Sequence, residues 1–324
     1  MLLRQRKHEQ TLGLCIPGGL AGQLFGLAYA AWINQNLGLG CRIVFFDVGT
    51  SISKLAISPI CESDVAKQMG ISLSRIRGHL DWNPSVKITS TSLLLGRMRG
   101  TLVYRKLALF ARSSLRTARQ TSRAYEPGPE SVIRRSHIRS LRAGSLIAGY
   151  PTDYQIVEDS SVGLLKLMRA SGLPNFLDHP GQDDSISIHW RLGDYVNNST
   201  HGALSWEFFK MSLQSLPADL PVTVFTDSPD LARKLICATG EAREVQIASG
   251  DIFEDLFRMT RSKYFIGSHS GISFLAAMAL HDSTTEPTVT LPSRWFKDEE
   301  ENKKFQESSG VFGRAIRVDP TYLD

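Results

Sequence analysis

The sequence predicts an α/β protein built on parallel sheets, in two halves. Two observations carry this. Between Gly13 and Phe46 a short apolar strand, a helix rich in Ala, Leu and Phe, and a second apolar strand follow one another as a βαβ unit. After Asp184 a second alternation of strands and helices begins, and Pro174, Pro180 and Gly181 punctuate the stretch before it. The 324 residues suffice for two domains of common size, and 42% hydrophobic content suffices to bury a core in each.

Taken in order, Gly13 to Ile16 is predicted as a strand and Gly18 to Gly22 as a loop. Gln23 to Leu37 follows as a helix ended near Gly38 and Gly40, and Cys41 to Phe46 as the next strand. Leu93 to Ala124 carries apolar residues at Leu102, Leu107, Leu109, Phe110 and Leu115, has no Gly or Pro after Gly100, and predicts one or two helices. The cluster Glu126-Pro127-Gly128-Pro129 ends it. Asn175 to Asp184 reads as the linker, which sets an N-terminal domain at 1–180, with a basic helical insert at about 93–142, and a C-terminal domain at 181–324. The second half is predicted as strand Ile186 to His189, helix Trp206 to Leu216, strand Val222 to Thr226 and helix Pro229 to Thr239. Strand Val245 to Ala248, helix Ile252 to Arg261, strand Lys263 to Ile266 and helix Ser273 to Leu280 complete it. Two such halves facing a cleft suit a nucleotide-sugar enzyme.

Composition excludes several classes. Cys15, Cys41, Cys61 and Cys237 are scattered with no CxxC pair, which argues against a zinc module or a disulfide framework and for a reduced, cytoplasmic protein. The apolar runs are well under the roughly 20 residues of a membrane span, and the charged start is followed by too brief an apolar patch for a secretory signal. The net charge of +5 is mild but uneven. From Arg97 to Arg142 the chain is rich in arginine, with only Glu126 and Glu130 against it. A solvated face accounts for such a run; so does an anionic partner. With no RNP, KH or zinc-finger pattern beside it, nucleic acid is not expected. Two roles stay open for the segment: shaping an acceptor side, or peripheral docking on an anionic membrane, the inner one, where lipid-linked glycans are built.

Four places carry candidate chemistry. The first is Ile186 to Val196, where strand alternation stops at Arg191 and opens into the turn Gly193-Asp194. In an open α/β sheet ligands sit beyond the carboxyl ends of the strands, so Arg191 is placed to hold a phosphate bidentately. A surface arginine beside an ordinary turn reads the same. The second is the glycine-rich turn Gly18, Gly19, Gly22 and Gln23, whose exposed NH groups at a helix start suit an anion or sugar hydroxyls. Tight helix packing explains it equally, and its glycine spacing is neither a Rossmann fingerprint nor a Walker loop. The third is Thr226, Asp227 and Ser228 at a strand end before Pro229, which also fits a plain helix cap. The fourth is Ser268, His269, Ser270 and Ser273 between a strand and an Ala-rich helix, either a phosphate site or a capping loop.

In their order along the chain the four places resemble the alpha-1,2-fucosyltransferase family, glycosyltransferase family 11, kin to the nodulation and protein O-fucosyltransferases. The segments that carry the resemblance are Gly18 to Phe25, His189 to Tyr195, Phe225 to Ser228, Asp255 to Thr260 with Ser268 to Ala277, and Ser293 to Phe296. The chain departs from the family pattern at Leu192, which stands for a second arginine, at Gly22, at Gly271, and at Phe274-Leu275. The resemblance implies a GT-B fold, two Rossmann-like domains facing a cleft, with the donor held mainly by the second and the acceptor served by the first. It implies an inverting, metal-independent transfer of L-fucose from GDP-fucose to a glycan hydroxyl, the 2-OH of a galactoside, with no cofactor and no metal ligands. Arg191 and Asp194 would be catalytic, with Glu207 a second base candidate; His189, Gly193, Thr226, Asp227, Ser268, His269, Ser270 and Ser273 would bind the donor. Another GDP-sugar, or a non-catalytic protein binding a nucleotide sugar or glycan, are the alternatives.

Overall fold

The computed structural model describes residues 11–18, 20–47, 71–73, 79–83, 86–89, 132–133, 138, 146–148, 150–151, 153–170, 181–241, 243–248, 250, 252–283, 285–306 and 310–323. The predicted helices of Leu93 to Ala124 and residues 175–180 of the predicted linker lie outside them, as does Gly19. The chain divides into two compact units, Met1–Leu173 and Pro174–Asp324.

In the first unit β1 (Thr11–Gly18), α1 (Leu20–Leu37) and β2 (Gly40–Asp47) form the βαβ unit, with β1 and β2 parallel from Thr11↔Gly40 to Gly18↔Asp47. The edge strands β3 (Ile71–Leu73) and β7 (Leu146–Ala148) extend the sheet to the order β3-β2-β1-β7, all parallel. Between them in sequence lie β4 (His79–Asn83) and β5 (Val86–Thr89), an antiparallel pair, and β6 (Val132–Ile133), which pairs with β8 (Tyr150–Pro151). The helix α1 starts three residues earlier than its sequence pattern suggests, so Gly22 and Gln23 lie inside it and only Gly18 remains in the strand before it. Leu20 and Leu24, one turn apart and both buried, anchor that first turn and wind the helix through Gly22. Its far end closes as expected at Gly38, whose φ of 63° is the left-handed conformation glycine adopts without cost. Helix α2 (Tyr154–Asp159) packs on α1: Tyr154 meets Phe25 edge-on at 5.2 Å, and the Trp32 indole donates to Asp159 at 3.2 Å. Helix α3 (Ser161–Ala170) follows.

The second unit is a six-stranded parallel sheet. In chain order its strands are β9 (Asp183–Trp190), β10 (Val222–Thr226), β11 (Val245–Ala248), β12 (Ser262–Gly267), β13 (Thr288–Pro292) and β14 (Ile316–Val318). They lie side by side as β11-β10-β9-β12-β13-β14. Counted from β9 this is 3-2-1-4-5-6, the doubly wound Rossmann order, whose strand direction of growth reverses between β9 and β12. The helices α4 (Trp206–Leu213), α5 (Pro229–Ala238), α6 (Ile252–Arg261) and α7 (Gly271–His281) make the crossovers, and α8 (Glu299–Gln306) and α9 (Val311–Arg314) follow β13. The predicted α/β class, with a parallel sheet in each half, is the class observed.

From Ile186 onward strand β9 is buried on both faces, as the central strand of such a sheet must be. Ile186, Ile188 and Trp190 belong to the apolar cluster that includes Phe208 and Phe209 of α4 and Ala232 and Ile236 of α5. Trp190 lies 5.3 Å from Phe209, and its indole N–H donates to the Leu204 carbonyl at 2.8 Å. The alternate residues, Ser187 and His189, bond on the other face to Ser262 and Ser273. The polar half of the alternation therefore points into the protein and is satisfied there by serine hydroxyls, not by solvent. Among the described residues no helix is long and apolar enough to cross a membrane.

Candidate functional site

The carboxyl ends of β9 and β12 are adjacent, and the crossovers leave them in opposite senses, β9 toward β10 and β12 toward β13. This reversal is where doubly wound sheets open a crevice for ligands. Two loops line it. The chain after β9 runs through Arg191 and Leu192 into a single 3₁₀ turn at Gly193–Tyr195; the chain after β12 runs through Ser268, His269 and Ser270 into α7. The loops are tied together: Ser268 N–H donates to the His189 carbonyl at 3.0 Å, and Arg191 N–H to the Ser268 hydroxyl at 3.3 Å.

Arg191 is the centre of charge. Its Nε and Nη2 donate to Asp194 Oδ1 at 3.0 and 2.7 Å, and its Nη1 meets Asp227 Oδ2 at 2.9 Å. The other oxygen of Asp227 accepts from Leu192 N–H at 3.0 Å and Gly193 N–H at 3.1 Å. The predicted residues of β9 and β10 thus meet, across 33 residues or more of chain, at the strand ends. Glycine at 193 has a direct cause, because a Cβ there would collide with the Asp227 carboxylate. Thr226 accepts from Ser228 N–H, a local turn that ends β10, and Ser228 makes no side-chain cap bond to α5. Glu207 sits exposed in the first turn of α4, 3.7 Å from Lys210.

Behind Arg191 lies a buried polar knot. His189 Nδ1 is 2.7 Å from the Ser273 hydroxyl, 3.2 Å from that of Ser270 and 3.5 Å from that of Ser268. Burial, reinforced by the Arg191 charge, pushes His189 down to about 3, so the ring is neutral and serves as a rigid spacer under the arginine. Ser270 also caps α7 by accepting from Ser273 N–H. All three hydroxyls are buried and face inward, so in this conformation they hold His189 in place rather than line the crevice.

His269 turns the other way, its Nε2–H donating to the Gly202 carbonyl at 2.7 Å. It abuts a stack that sequence patterns do not reveal. Tyr195 and His201 lie parallel at 4.7 Å, His201 meets Phe296 at 4.9 Å, and His269 meets Tyr322 at 6.0 Å. Burial pushes both histidines down to about 4 and the Tyr195 and Tyr322 hydroxyls upward. Nδ1 of His201, Nδ1 of His269 and the Tyr322 hydroxyl are buried, with no hydrogen-bond partner among the described residues. The Arg191 guanidinium lies 5.7 Å from the Tyr195 ring centre, which extends the stack to the strand end. No periodicity marks His201 or Tyr322. Only the loop fold, pinned by Leu323 N–H on Ala203 O and Lys297 N–H on Thr200 O, brings them here.

Leu192, at the position where the resembled family carries a second arginine, is fully buried in the cluster of β9 and α4. Leu192→Arg is expected to cost on the order of 3–5 kcal/mol of stability, the cost of an uncompensated buried charge. Urea denaturation tests it, and a midpoint equal to wild type would show that the loop can turn the charge outward. Among the described residues no three His, Cys, Asp or Glu side chains converge as a metal site would.

No family model and no curated protein matches the sequence. Among solved structures, the chain is similar to the NodZ alpha-1,6-fucosyltransferase co-crystallised with GDP, at 14% identity over 82% of this chain and 91% of that one, with a TM-score of 0.39. It is similar to the E. coli heptosyltransferase WaaC with ADP, at 11% identity over 95% and 93%, TM-score 0.45. It is also similar to the family 9 glycosyl transferase from Veillonella parvula, at 10% identity over 95% and 86%, TM-score 0.38.

Proposed function

We propose that this chain is a glycosyltransferase of the GT-B type that takes its sugar from a nucleoside diphosphate donor bound at the reversal point of the second unit. One observation carries the reading: a guanidinium and two consecutive backbone N–H groups, those of Leu192 and Gly193, converge on one carboxylate-sized seat at the carboxyl edge of a 3-2-1-4-5-6 sheet. That donor set matches a phosphate group. The motif resemblance narrows the donor to GDP-fucose and the acceptor to a glycan hydroxyl, the 2-OH of a galactoside.

In this reaction the acceptor oxygen attacks the anomeric carbon, the bond from that carbon to the β-phosphate oxygen breaks, and GDP departs with the bonding pair. Attack from the face opposite the leaving group inverts the centre. Arg191 and the two amides stabilise the charge that grows on the diphosphate, in place of a metal ion. His189, neutral and clamped by serines, holds the strand end so that the guanidinium is aimed before the donor arrives. Asp194, two-thirds exposed, is the proposed acceptor of the hydroxyl proton. A second reading, a non-catalytic binder of a nucleotide sugar, has one specific observation behind it: Arg191 is closed off by two carboxylates.

Turnover separates the two. The full-length protein is mixed with GDP-fucose in EDTA, with and without lactose or N-acetyllactosamine, and GDP release is followed. Acceptor-stimulated release in EDTA is the expected result. Saturable GDP-fucose binding without release by any galactoside would support the binder, and absence of any GDP binding would remove the donor assignment. Release from a different GDP-sugar alone would keep the reaction and replace fucose.

A further inference from the structure

We infer that the Asp227 carboxylate is an internal stand-in for a ligand phosphate, seated at the end of β9 when the site is empty and expelled when the donor binds. The inference rests on the proposed donor site and adds the competitor that sets its affinity.

Asp227 takes up every donor the seat offers. Oδ1 accepts from Leu192 N–H and Gly193 N–H, and Oδ2 from Arg191 Nη1. Two successive backbone amides beside a guanidinium form a concave anion site, and nothing in it requires that the anion be a side chain. The absence of a Cβ at Gly193 is what lets an anion come this close to the backbone. Charge gives the second argument. Arg191 is flanked by two carboxylates, so the group as a whole is net negative. A diphosphate entering alongside both would meet repulsion from the residues meant to attract it. Departure of Asp227 brings the Arg191–Asp194 pair to neutrality, exposes the Nη1 edge of the guanidinium and frees the two amides together.

Asp194 differs in kind. Among the described residues it bonds to the Nε and Nη2 edge of Arg191, from the solvent side, and to no backbone amide. It can stay when the ligand enters, holding the guanidinium in plane while the Nη1 edge changes partner. The device keeps the loop in its binding shape without ligand, because one carboxylate ties the Leu192 and Gly193 amides and the Arg191 guanidinium together. It also sets a threshold: an incoming anion must better a carboxylate already in place, which favours a diphosphate over a single weak anion.

The test is equilibrium binding of GDP, and separately of inorganic pyrophosphate, to the full chain as wild type, Asp227→Asn and Asp194→Asn. Asp227→Asn is expected to bind both ligands about ten-fold tighter or more, corresponding to about 1.4 kcal/mol, and Asp194→Asn to change by a few-fold at most. Asp227→Ser, which vacates the seat with a smaller side chain, carries the same expectation should the amide variant not fold. Equal tightening in the Asp194 and Asp227 variants would mean general charge removal and overturns the inference. So does unchanged or weaker binding in the Asp227 variants, which would make the carboxylate a ligand contact. If no form binds either ligand, the donor site itself falls and the inference falls with it; that outcome is distinct, because the first two both require measurable binding to wild type.

Discussion

Arg191→Ala lowers kcat/KM for donor turnover by about 10²–10³-fold, on the order of 2.7–4 kcal/mol of transition-state stabilisation, as removal of one oxyanion donor does elsewhere. The reasoning starts from where the charge goes. In the proposed transfer negative charge accumulates on the β-phosphate as the bond to the anomeric carbon breaks, and among the described residues the cation beside the Leu192 and Gly193 amides is the Arg191 guanidinium. Stability should respond far less, because the side chain is 35% exposed and ion pairs in that range contribute roughly 0–1 kcal/mol. Arg191→Lys is expected to recover only part of the loss, since an ammonium cannot hold Asp194 and a phosphate through separate edges. Initial rates of GDP release measure both variants, and thermal melting checks the fold. A kcat/KM within three-fold of wild type for Arg191→Ala would place the leaving-group contact elsewhere.

Acid unfolding should begin unusually early. His189, His201 and His269 are held neutral by burial, with folded values of about 3, 4 and 4 against an unfolded value near 6.5. Their folded values are depressed, so the stability they contribute is complete above pH 6.5 and is lost as pH falls toward the folded values, where the unfolded chain binds protons that the native one refuses. Each group weakens the fold by about 1.4 kcal/mol per pH unit across its window. Between pH 6.5 and 5 most carboxylates have not yet titrated, so the histidines dominate there. The free energy of urea unfolding measured at pH 7, 6 and 5 should fall steeply, and His189→Asn should remove about one proton from that slope. A profile flat from pH 7 to pH 5 would mean that the knot opens to water and protonates without unfolding.

Several parts of the second unit were legible because their signals are local. Strands Val222–Thr226 and Val245–Ala248 and helix Ile252–Arg261 begin and end where the sequence pattern places them. Each is a clean apolar period bounded by turn residues, and Pro229 takes the first position of α5 as a helix-starting proline should. Strands β13 and β14 were not predicted. Thr288–Pro292 ends in a residue that reads as a breaker, and Ile316–Val318 has three residues, too few for any period to register. The glycine-rich turn was misplaced for a related reason. Glycine marks a loop in a sequence, whereas the burial of Leu20 and Leu24 extends α1 back through Gly22, three residues before the expected start at Gln23.

At the site the division is sharper. Alternation and turn chemistry act over a few neighbouring residues, and they suffice to reveal the α/β class, the strand that ends at Arg191, and the small polar turn from Ser268 that opens α7. Tertiary structure alone decided that β9 and β12 lie side by side, that serine hydroxyls turn inward to clamp His189, and that Asp227 fills the seat beside Arg191. Those outcomes depend on partners 34 to 84 residues apart in the chain, joined by sheet order and by the need to satisfy each buried donor, and a local pattern carries no record of either.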